Sequence, residues 1–283
     1  MATLPPSAPN EALPEQVCWP VQRYDLTRVA STNDFALTLL HEGAPEGTLV
    51  LAYEQYAGRG QRSSSWLVAP GLNLTLSLIL RPGWLGHSHL FALNKIATLA
   101  IHALLVKHLP RRAVRIKWPN DVLVNGKKIA GILIENQLAA QHTEASVLGI
   151  GLNVNQTLFL ADVQEQATSL LIEMGKAEPA VTQPFALDPI LAELLAHLQQ
   201  QYERLRMGAT DAINRAYLTH LYQYQEWAQY EQVLPARNRV TFKGMIIGLL
   251  QDGRLAVQHD SDAQGKTQGS IRYYNFKEIA FKG

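Results

Sequence analysis

The sequence predicts a larger domain of mixed helices and strands, followed by a small all-β barrel. Residues 73–80 alternate leucine with Asn, Thr, Ser and Ile, which is typical of a half-buried strand. Residues 90–109 carry apolar side chains at helical spacing and predict a core helix. Beyond about residue 235 the chain changes to short strands separated by glycine-containing turns, which is the pattern of a small all-β barrel. We therefore place a domain boundary near residues 232–237.

The remaining elements follow from capping and turn signals. Ser31 can cap a helix with Asp34 three residues on, as in a capping box, and the helix then runs to Gly43. Asp188-Pro189 predicts the N-cap and first position of a long helix to about Met207, and another helix is expected over 211–224. Strands are predicted at 48–53, 114–117, 122–124, 129–134, 146–154, 240–242, 245–250, 255–258 and 271–276. Residues 1–22 are proline-rich and are expected to form a tail.

Composition limits the class of protein. The chain has 283 residues and a formal net charge of +1, so it carries no bulk field that would attract nucleic acid or an anionic membrane. A single cysteine, Cys18, excludes an internal disulfide and a thiolate metal cluster. We find no apolar run of the ~18 residues that a membrane span needs, and the N-terminus lacks the charged and apolar regions of a signal peptide. We therefore expect a cytoplasmic protein.

The segment 117–131 predicts a hairpin that carries cations. Asn125-Gly126 stands between two β-branched apolar runs, and Asn-Gly favours a type I′ turn, in which both central residues have positive φ. Lys128 is then fixed beside a rigid turn and near Gly131, where it is placed to meet an anion. The alternative is that these lysines are solvated residues at a sheet edge.

The second candidate is the loop Gly58-Arg59-Gly60-Gln61-Arg62. Glycine lets backbone amides approach a ligand closely, and two arginines supply forked donors for a carboxylate or a phosphate. Three serines at 63–65 leave the loop flexible, and Trp66 can fix its far end. The loop is not a P-loop, because Gly-Lys-Ser/Thr is missing. Taken alone, it is equally well interpreted as an ordinary mobile loop.

Other motifs are weak by themselves. Gly149-Ile150-Gly151-Leu152-Asn153 looks like part of a dinucleotide fingerprint, but Val154 occupies the third small position and the segment is typical of a strand. Ser31-Thr32-Asn33 alone is a helix cap. The nine histidines show no metal-ligand spacing.

Taken together and in order, these segments resemble one family, the biotin–protein ligases, or biotin–[acetyl-CoA-carboxylase] ligases. The family's motifs stand here as Ser31-Thr32-Asn33, residues 55–60 with Trp66, residues 117–121, residues 128–135 and residues 149–153. The resemblance implies an α+β fold. Its catalytic domain, over residues 23–232, would be like the class II aminoacyl-tRNA synthetases, with a mixed, mostly antiparallel sheet flanked by helices. Residues 233–283 would form a small SH3-like β-barrel.

The resemblance also implies a reaction and its residues. Biotin and ATP would give biotinyl-5′-AMP and pyrophosphate, and the adenylate would then acylate a lysine of the biotin carboxyl carrier protein of acetyl-CoA carboxylase, or of another biotin-dependent carboxylase. The implied catalytic residues are Lys128, Arg59 and Lys117. The implied biotin-binding residues are Ser31, Thr32, Asn33, Gln55, Gly58, Arg59, Gly60, Lys128 and Gly131. ATP and the adenylate would contact Arg59, Arg62, Trp66, Lys117, Asn120, Asp121, Lys128 and Asn153, with Mg²⁺ at Asp121. The protein is expected to be a monomer or a homodimer.

Several features qualify the resemblance. Gln61 stands where many members have arginine, and Ser63 where glycine is frequent. Some members carry an N-terminal winged helix that represses transcription, which needs roughly 60 residues. Only 30 residues precede Ser31, so a monofunctional ligase that binds no nucleic acid is expected. We also expect Arg59 and Arg62 to gain partners only when the anionic adenylate is bound.

Two other functions share parts of this pattern. A lipoate or octanoate ligase or transferase would share the sheet, but should lack the Gly-Arg-Gly loop with its following tryptophan. A non-catalytic biotin-binding protein would keep the pocket, but need not keep Lys128 and Asp121.

Overall fold

The structure is a computed structural model and describes residues 18–61, 65–110, 112–138, 143–161, 163–176, 180–234, 239–260 and 269–282. In chain order the elements are β1 (Gln22–Val29), α1 (Thr32–His41), β2 (Thr48–Gln55), β3 (Leu74–Leu80), α2 (Phe91–His108), β4 (Val114–Lys117), β5 (Asp121–Val124), β6 (Lys127–Leu138), β7 (Thr143–Leu152), α3 (Leu170–Gly175), α4 (Leu187–Arg206), α5 (Thr210–His220), β8 (Trp227–Val233), β9 (Arg239–Leu249), β10 (Leu255–His259), β11 (Ile271–Tyr274) and β12 (Ile279–Phe281).

The strands of the described residues form two sheets. The first has seven strands in the order β1-β2-β3-β7-β6-β5-β4, and the second has five in the order β11-β10-β9-β8-β12. In the first sheet β1 runs parallel to β2 and the other neighbours are antiparallel, whereas the second sheet is antiparallel throughout. A mixed, mostly antiparallel sheet and an all-β C-terminal unit are therefore confirmed.

Helices cover both faces of the first sheet. α1 packs on β2, β3 and β7, and α2 packs on β4, β5 and β6 with α4 and α5 against it. Because successive strand residues face opposite sides, Ile79 lies in the cluster with α1, while its neighbours Leu78 and Leu80 lie in the larger core with α2. All seven residues of β3 are buried. The prediction of a half-buried strand is wrong in this respect, since the polar face with Thr75 and Ser77 is covered by protein.

The core helix α2 is unusually apolar. Together with the short 3-10 turn before it, it spans 22 residues (His87–His108) with a mean hydropathy of 1.5, which by length and composition alone would suit a membrane span. However, 67% of that apolar window is buried inside the protein, against the sheet and α4. Lys95 is buried with it, donates to Oδ1 of Asn214 at 2.6 Å, and has its pKa lowered to about 8 by burial. The hydropathy of α2 is thus that of a core helix.

Local signals placed most element ends within about two residues, but the strands predicted at 240–242 and 245–250 form the single strand β9. Ser31 caps α1, because its Oγ accepts from the amide of Asp34 at 3.4 Å. The turn between β5 and β6 has φ of 51° at Asn125 and 80° at Gly126, which confirms the type I′ hairpin. α4 begins two residues earlier than predicted, and the carboxylate of Asp188 binds Arg23 instead of capping it.

The first strand was not predicted from the sequence, and two further boundaries were placed wrongly. β1 is an exposed, polar edge strand, so it showed no apolar alternation in a stretch that borders the proline-rich tail. α5 ends at His220 instead of 224, because the following Leu221 is extended and Tyr222 donates to the carbonyl of Ile116 on β4 at 2.8 Å. The second sheet begins at Trp227, six residues before the boundary expected at 233.

The second sheet is fixed on the first domain by a tight contact. Nε1 of Trp118 donates to the carbonyl oxygen of Gly253 at 2.8 Å. A Cβ at Gly253 would lie 2.4 Å from the ring of Phe91, so only glycine permits this approach, and its φ of 90° also favours glycine. The contact joins the turn between β9 and β10 to the turn between β4 and β5.

Candidate active site

A cavity of about 380 Å³ lies between the N-terminus of α1, the loop after β2, the hairpin β4–β5–β6 and the end of the second sheet. It is lined by most of the predicted site residues, namely Ser31, Thr32, Asn33, Gln55, Arg59, Gly60, Trp66, Lys117, Asn120, Asp121, Lys128 and Gly131. The remaining predictions fall elsewhere. Asn153 lines a neighbouring cavity. Gly58 packs against the side chain of Gln55 and the carbonyl of Trp66 and does not line the first cavity. Arg62 and Ser63 lie outside the described residues.

Neutral polar groups form one end of this cavity, where Thr32, Asn33 and Gln55 line it and Ser77 lies behind them. The amide of Thr32 donates to Oε1 of Gln55 at 2.8 Å, and Oγ1 of Thr32 lies 3.2 Å from the same oxygen. Oγ of Ser77 lies 2.8 Å from Oγ1 of Thr32 and 2.6 Å from Oδ1 of Asn33. All four side chains are buried, so their donors and acceptors are desolvated and held in fixed directions. Such a cluster suits a neutral ligand with both N–H and C=O groups.

Ser77 was missed by the sequence analysis. On β3 it stands among leucines with Thr75, and these polar positions were interpreted as the solvent-facing side of a strand. The signal that could have identified it is a serine and a threonine two residues apart in a strand of otherwise apolar residues.

The polar cluster continues outward to Arg59. Nδ2 of Asn33 donates to Oε2 of Glu135 at 2.8 Å, and Nη2 of Arg59 lies 3.0 Å from the same oxygen. Nη2 of Arg59 also pairs with Oδ1 of Asp34. The expectation that Arg59 lacks partners without an adenylate is therefore wrong. Asp34 on α1 and Glu135 on β6 are distant in sequence and meet only in the fold.

The two predicted lysines lie around one carboxylate. Nζ of Lys128 is 2.7 Å from Oδ1 of Asp121 and 5.5 Å from the centroid of the Trp66 ring. Nζ of Lys117 is 5.4 Å from the ring of Phe281. Burial lowers the pKa of Lys117, Asp121 opposes the shift and Lys128 adds to it. An anionic ligand at this point would offset the desolvation of both cations.

Trp66 separates the first cavity from a second one of about 610 Å³. Ser65, Trp66, Lys117, Asp121, Lys128 and Phe281 line both. The indole lies against Gly151 and Gly131, where an added Cβ would approach it to 2.2 Å and 3.2 Å. At Gly149 an added Cβ would lie 2.2 Å from Oδ1 of Asn33. The Gly-x-Gly pattern on β7 is thus explained by the close approach of Trp66 and Asn33.

The second cavity contains an unsatisfied acceptor. Asn153 is buried, and its Nδ2 donates to the carbonyl of Thr168 at 3.0 Å. Its Oδ1 has no hydrogen-bond partner among the described residues. A buried acceptor left open beside a cavity is suited to a ligand donor such as an exocyclic amine.

The second sheet completes the first cavity. Phe276, Lys277, Ile279, Ala280 and Phe281 line it, and Nζ of Lys277 is 3.4 Å from the carbonyl oxygen of Gln61. The closure of the site by the last strand was not predicted, because these residues show no motif of their own.

Replacing Gly151 with alanine is expected to destabilise the protein by about 1–3 kcal/mol, because the new methyl overlaps the Trp66 ring and forces it to move. Urea unfolding would measure the change in the free energy of unfolding. Gly248→Ala is the matched control, since a Cβ there meets nothing within 4 Å. Equal stability of the two variants would show that Trp66 does not pack on β7 as described.

Fold and cavities define an α+β domain in which two adjoining cavities meet at a pair of lysines. Residues 26–153 match the Biotin/lipoate A/B protein ligase family. The biotin–[acetyl-CoA-carboxylase] ligase of Paracoccus denitrificans is 38% identical over 179 residues, which are 63% of this chain and 73% of that protein. The chain belongs to the biotin/lipoate A/B protein ligase family.

Two further relatives define the extent of the likeness. The bifunctional ligase/repressor BirA of Bacillus spizizenii is 39% identical over 155 residues, which are 52% of this chain and 46% of the relative, so the match spans about half of that protein. The solved structure of the biotin protein ligase from Aquifex aeolicus, in complex with biotin and ATP, matches with a TM-score of 0.71 at 21% identity. That match covers 93% of this chain and 99% of the other, and it supports the fold through both sheets.

Proposed function

We propose that this protein is an ATP-dependent biotin–protein ligase. It would join biotin and ATP to form biotinyl-5′-AMP and pyrophosphate, and then transfer the biotinyl group to a lysine of a biotin carboxyl carrier protein or a related carboxylase domain. The observation that carries the proposal is the position of Lys117 and Lys128. They stand where a cavity with a neutral polar end meets a second cavity.

The first cavity suits biotin. Its ureido ring is neutral and carries two N–H groups and a C=O group, which suit the polar side chains of Ser31, Thr32 and Gln55 that line the cavity, with Ser77 bonded to Thr32 behind them. The volume of about 380 Å³ lies within the range of small-molecule sites. The Aquifex relative that shares this fold is described with biotin and ATP bound.

The lysines suit the chemical step. With biotin in the first cavity and ATP in the second, a carboxylate oxygen of biotin attacks the α-phosphorus in line, and pyrophosphate leaves. Negative charge develops on the phosphoryl oxygens, next to Lys128, where a fixed ammonium stabilises it most. Lys117, with its pKa lowered by burial, gains from the same anion. The open Oδ1 of Asn153 is suited to accept from the adenine amine.

The residues present fit a magnesium ion that is carried mainly by the nucleotide. No group of three or more His, Cys, Asp or Glu side chains within the described ranges could hold a metal. Asp121 lines both cavities, and one of its oxygens is bound by Lys128. Mg²⁺ commonly takes one or two carboxylates together with substrate phosphates, and Asp121 would serve in that way. When bound, the ion would neutralise charge on the leaving phosphates.

The alternatives fit less well. A lipoyl or octanoyl chain offers no ureido group that could bond to the polar side chains of Thr32 and Gln55 at the end of the first cavity. A protein that only binds biotin would gain nothing from two half-buried lysines beside Asp121. We further propose that the first domain is class II synthetase-like and that the C-terminal unit is SH3-like, since their mixed and antiparallel sheets agree with such labels.

The proposal predicts that the purified protein releases pyrophosphate only when biotin, ATP and Mg²⁺ are all present, and that biotinyl-5′-AMP is found by mass spectrometry. Labelled biotin should then pass to an isolated carrier domain, but not to one with its acceptor lysine replaced by arginine. Lipoate and octanoate in place of biotin are the matched controls. Pyrophosphate release with lipoate and none with biotin would contradict the assignment.

A further inference from the structure

Glu173, in α3, carries a carboxylate that is completely buried and lines neither of the two cavities. It accepts hydrogen bonds from Oγ1 of Thr168 at 2.7 Å, Nδ2 of Asn125 at 2.9 Å and Nζ of Lys176 at 2.6 Å. Burial alone would raise the pKa of Glu173, but the bonds from Lys176, Thr168 and Asn125 hold it below its ordinary value. Glu173 is thus a buried anion whose charge is compensated by several donors.

Two of these donors lie near Lys128, one along the chain and one in the segment that pairs with it outside the sheet. Asn125 is the first residue of the turn that leads into β6, three residues before Lys128. Thr168 lies beside it in space. The amide of Thr168 donates to the carbonyl of Lys128 at 2.9 Å, and the amide of Lys128 donates to the carbonyl of Gln166 at 2.7 Å. Glu173 therefore fixes the backbone of Lys128 from both sides.

The same carboxylate also orders the second cavity. The carbonyl of Thr168 accepts from Nδ2 of Asn153, and Gln166 and Ala167 line the cavity wall. A shift of Thr168 would therefore move the wall and the open acceptor of Asn153 together. By contrast, the polar cluster of Thr32, Gln55 and Ser77 makes no hydrogen bond to this network among the described residues.

We propose that Glu173 is a positioning residue that sets Lys128 and the wall of the second cavity for nucleotide chemistry, an inference that rests on the proposed ligase function. A carboxylate is required, because Thr168 and Asn125 each donate to a different oxygen. Glutamine has a single acceptor oxygen, so its NH2 group would face one of these donors and could not accept a hydrogen bond from it.

Asn125→Gly tests the proposal, because glycine keeps the positive φ of the turn and removes the amide that reaches Glu173. It also removes Oδ1, which accepts from the amide of Ala113 at 3.2 Å. Thr168→Val is the second variant, since it preserves the side-chain shape and removes only the hydroxyl. Lys176→Met is the matched control. It removes a hydrogen-bond donor to the same carboxylate, but Lys176 follows the helix and its side chain is half-exposed.

Both Asn125→Gly and Thr168→Val are expected to lower kcat for adenylate formation about tenfold or more and to raise KM for ATP, since misplacement of a catalytic group by ~1 Å can cost about a hundredfold. The dissociation constant for biotin should stay within about twofold, because its polar cluster is separate. Lys176→Met should lower the melting temperature but leave kcat and KM for ATP unchanged. Equal kcat losses in all three variants, or unchanged kcat in the first two, would overturn the proposal.

Hydrogen exchange separates this inference from the proposed function. The backbone amides at positions 128 and 168 should exchange faster in Asn125→Gly and Thr168→Val than in the wild type. In Lys176→Met their exchange rates should be unchanged. This readout requires no activity. If the wild-type protein formed no adenylate, the ligase proposal would fail, while the exchange pattern would still decide whether Glu173 fixes Lys128. Uniform exchange in all variants would show that it does not.

Discussion

Replacing Lys128 with alanine should slow the formation of biotinyl-5′-AMP about a hundredfold, because a fixed charge at a developing oxyanion is worth roughly 3 kcal/mol of transition-state stabilisation. Biotin affinity should change little. The ammonium lies at the boundary between the two cavities, paired with Asp121 at 2.7 Å, and not at the polar end where Thr32 and Gln55 lie. Single-turnover adenylation and equilibrium biotin binding would measure the two quantities separately.

Lys127→Ala is the matched control for this variant. Lys127 is the preceding residue of the same strand, so its side chain points to the opposite face of the sheet. It carries the same charge and should leave the adenylation rate within about twofold, because its half-buried side chain lines neither cavity. Comparable losses in biotin affinity and rate for Lys128→Ala would assign the lysine to substrate binding instead of to the chemical step.

Local chemistry explains why the hairpin could be predicted. Asn125-Gly126 requires a type I′ turn, and that turn together with the strand period places Lys128 beside Asp121. The Ser31 cap is local in the same sense. Each of these features depends on residues only a few positions apart, so a single sequence contains the information.

Long-range contacts explain what could not be predicted. Ser77 and Glu135 join the site only because β3 and β6 come together with α1, through Thr32 and Asn33. Glu135 was recognised solely as the end of a motif, without a partner. The aromatic wall at Phe276 and Phe281 depends on the docking of the second sheet through Gly253, which no local pattern encodes.

Arg59→Gly should shorten the lifetime of bound biotinyl-5′-AMP. A charge-assisted hydrogen bond is worth about 1.5–3 kcal/mol, so its loss corresponds to roughly a tenfold to hundredfold faster release. Released adenylate is a reactive mixed anhydride, and bystander lysines should be labelled as a result. The half-life of the adenylate on the purified protein and the labelling of an added unrelated protein would measure both effects.

The contacts of Arg59 in the free protein supply the control. Its Nη2 is held by Asp34 and Glu135, so these carboxylates compete with an anionic ligand for the same guanidinium. Asp34→Asn removes one competitor and keeps the arginine, and it should leave the adenylate lifetime unchanged or longer. Gln61→Arg adds a cation in the cavity wall and should be neutral or mildly more retentive.

If Arg59→Gly shortened the lifetime of the bound adenylate and Asp34→Asn lengthened it, the arginine would be shown to act on the adenylate itself. If both variants shortened the lifetime equally, the ion pair would instead serve to hold the loop, whose two stems are already joined by the bond from the Trp66 amide to the Gly58 carbonyl at 2.9 Å. Hydrogen exchange over residues 58–61 and 65–66, with and without a non-hydrolysable adenylate analogue, separates these cases. If Arg59 exchanges one carboxylate for the phosphate, the amides of the loop should be better protected from exchange only when the analogue is present. If the ion pair is purely structural, their protection should be the same with and without the analogue.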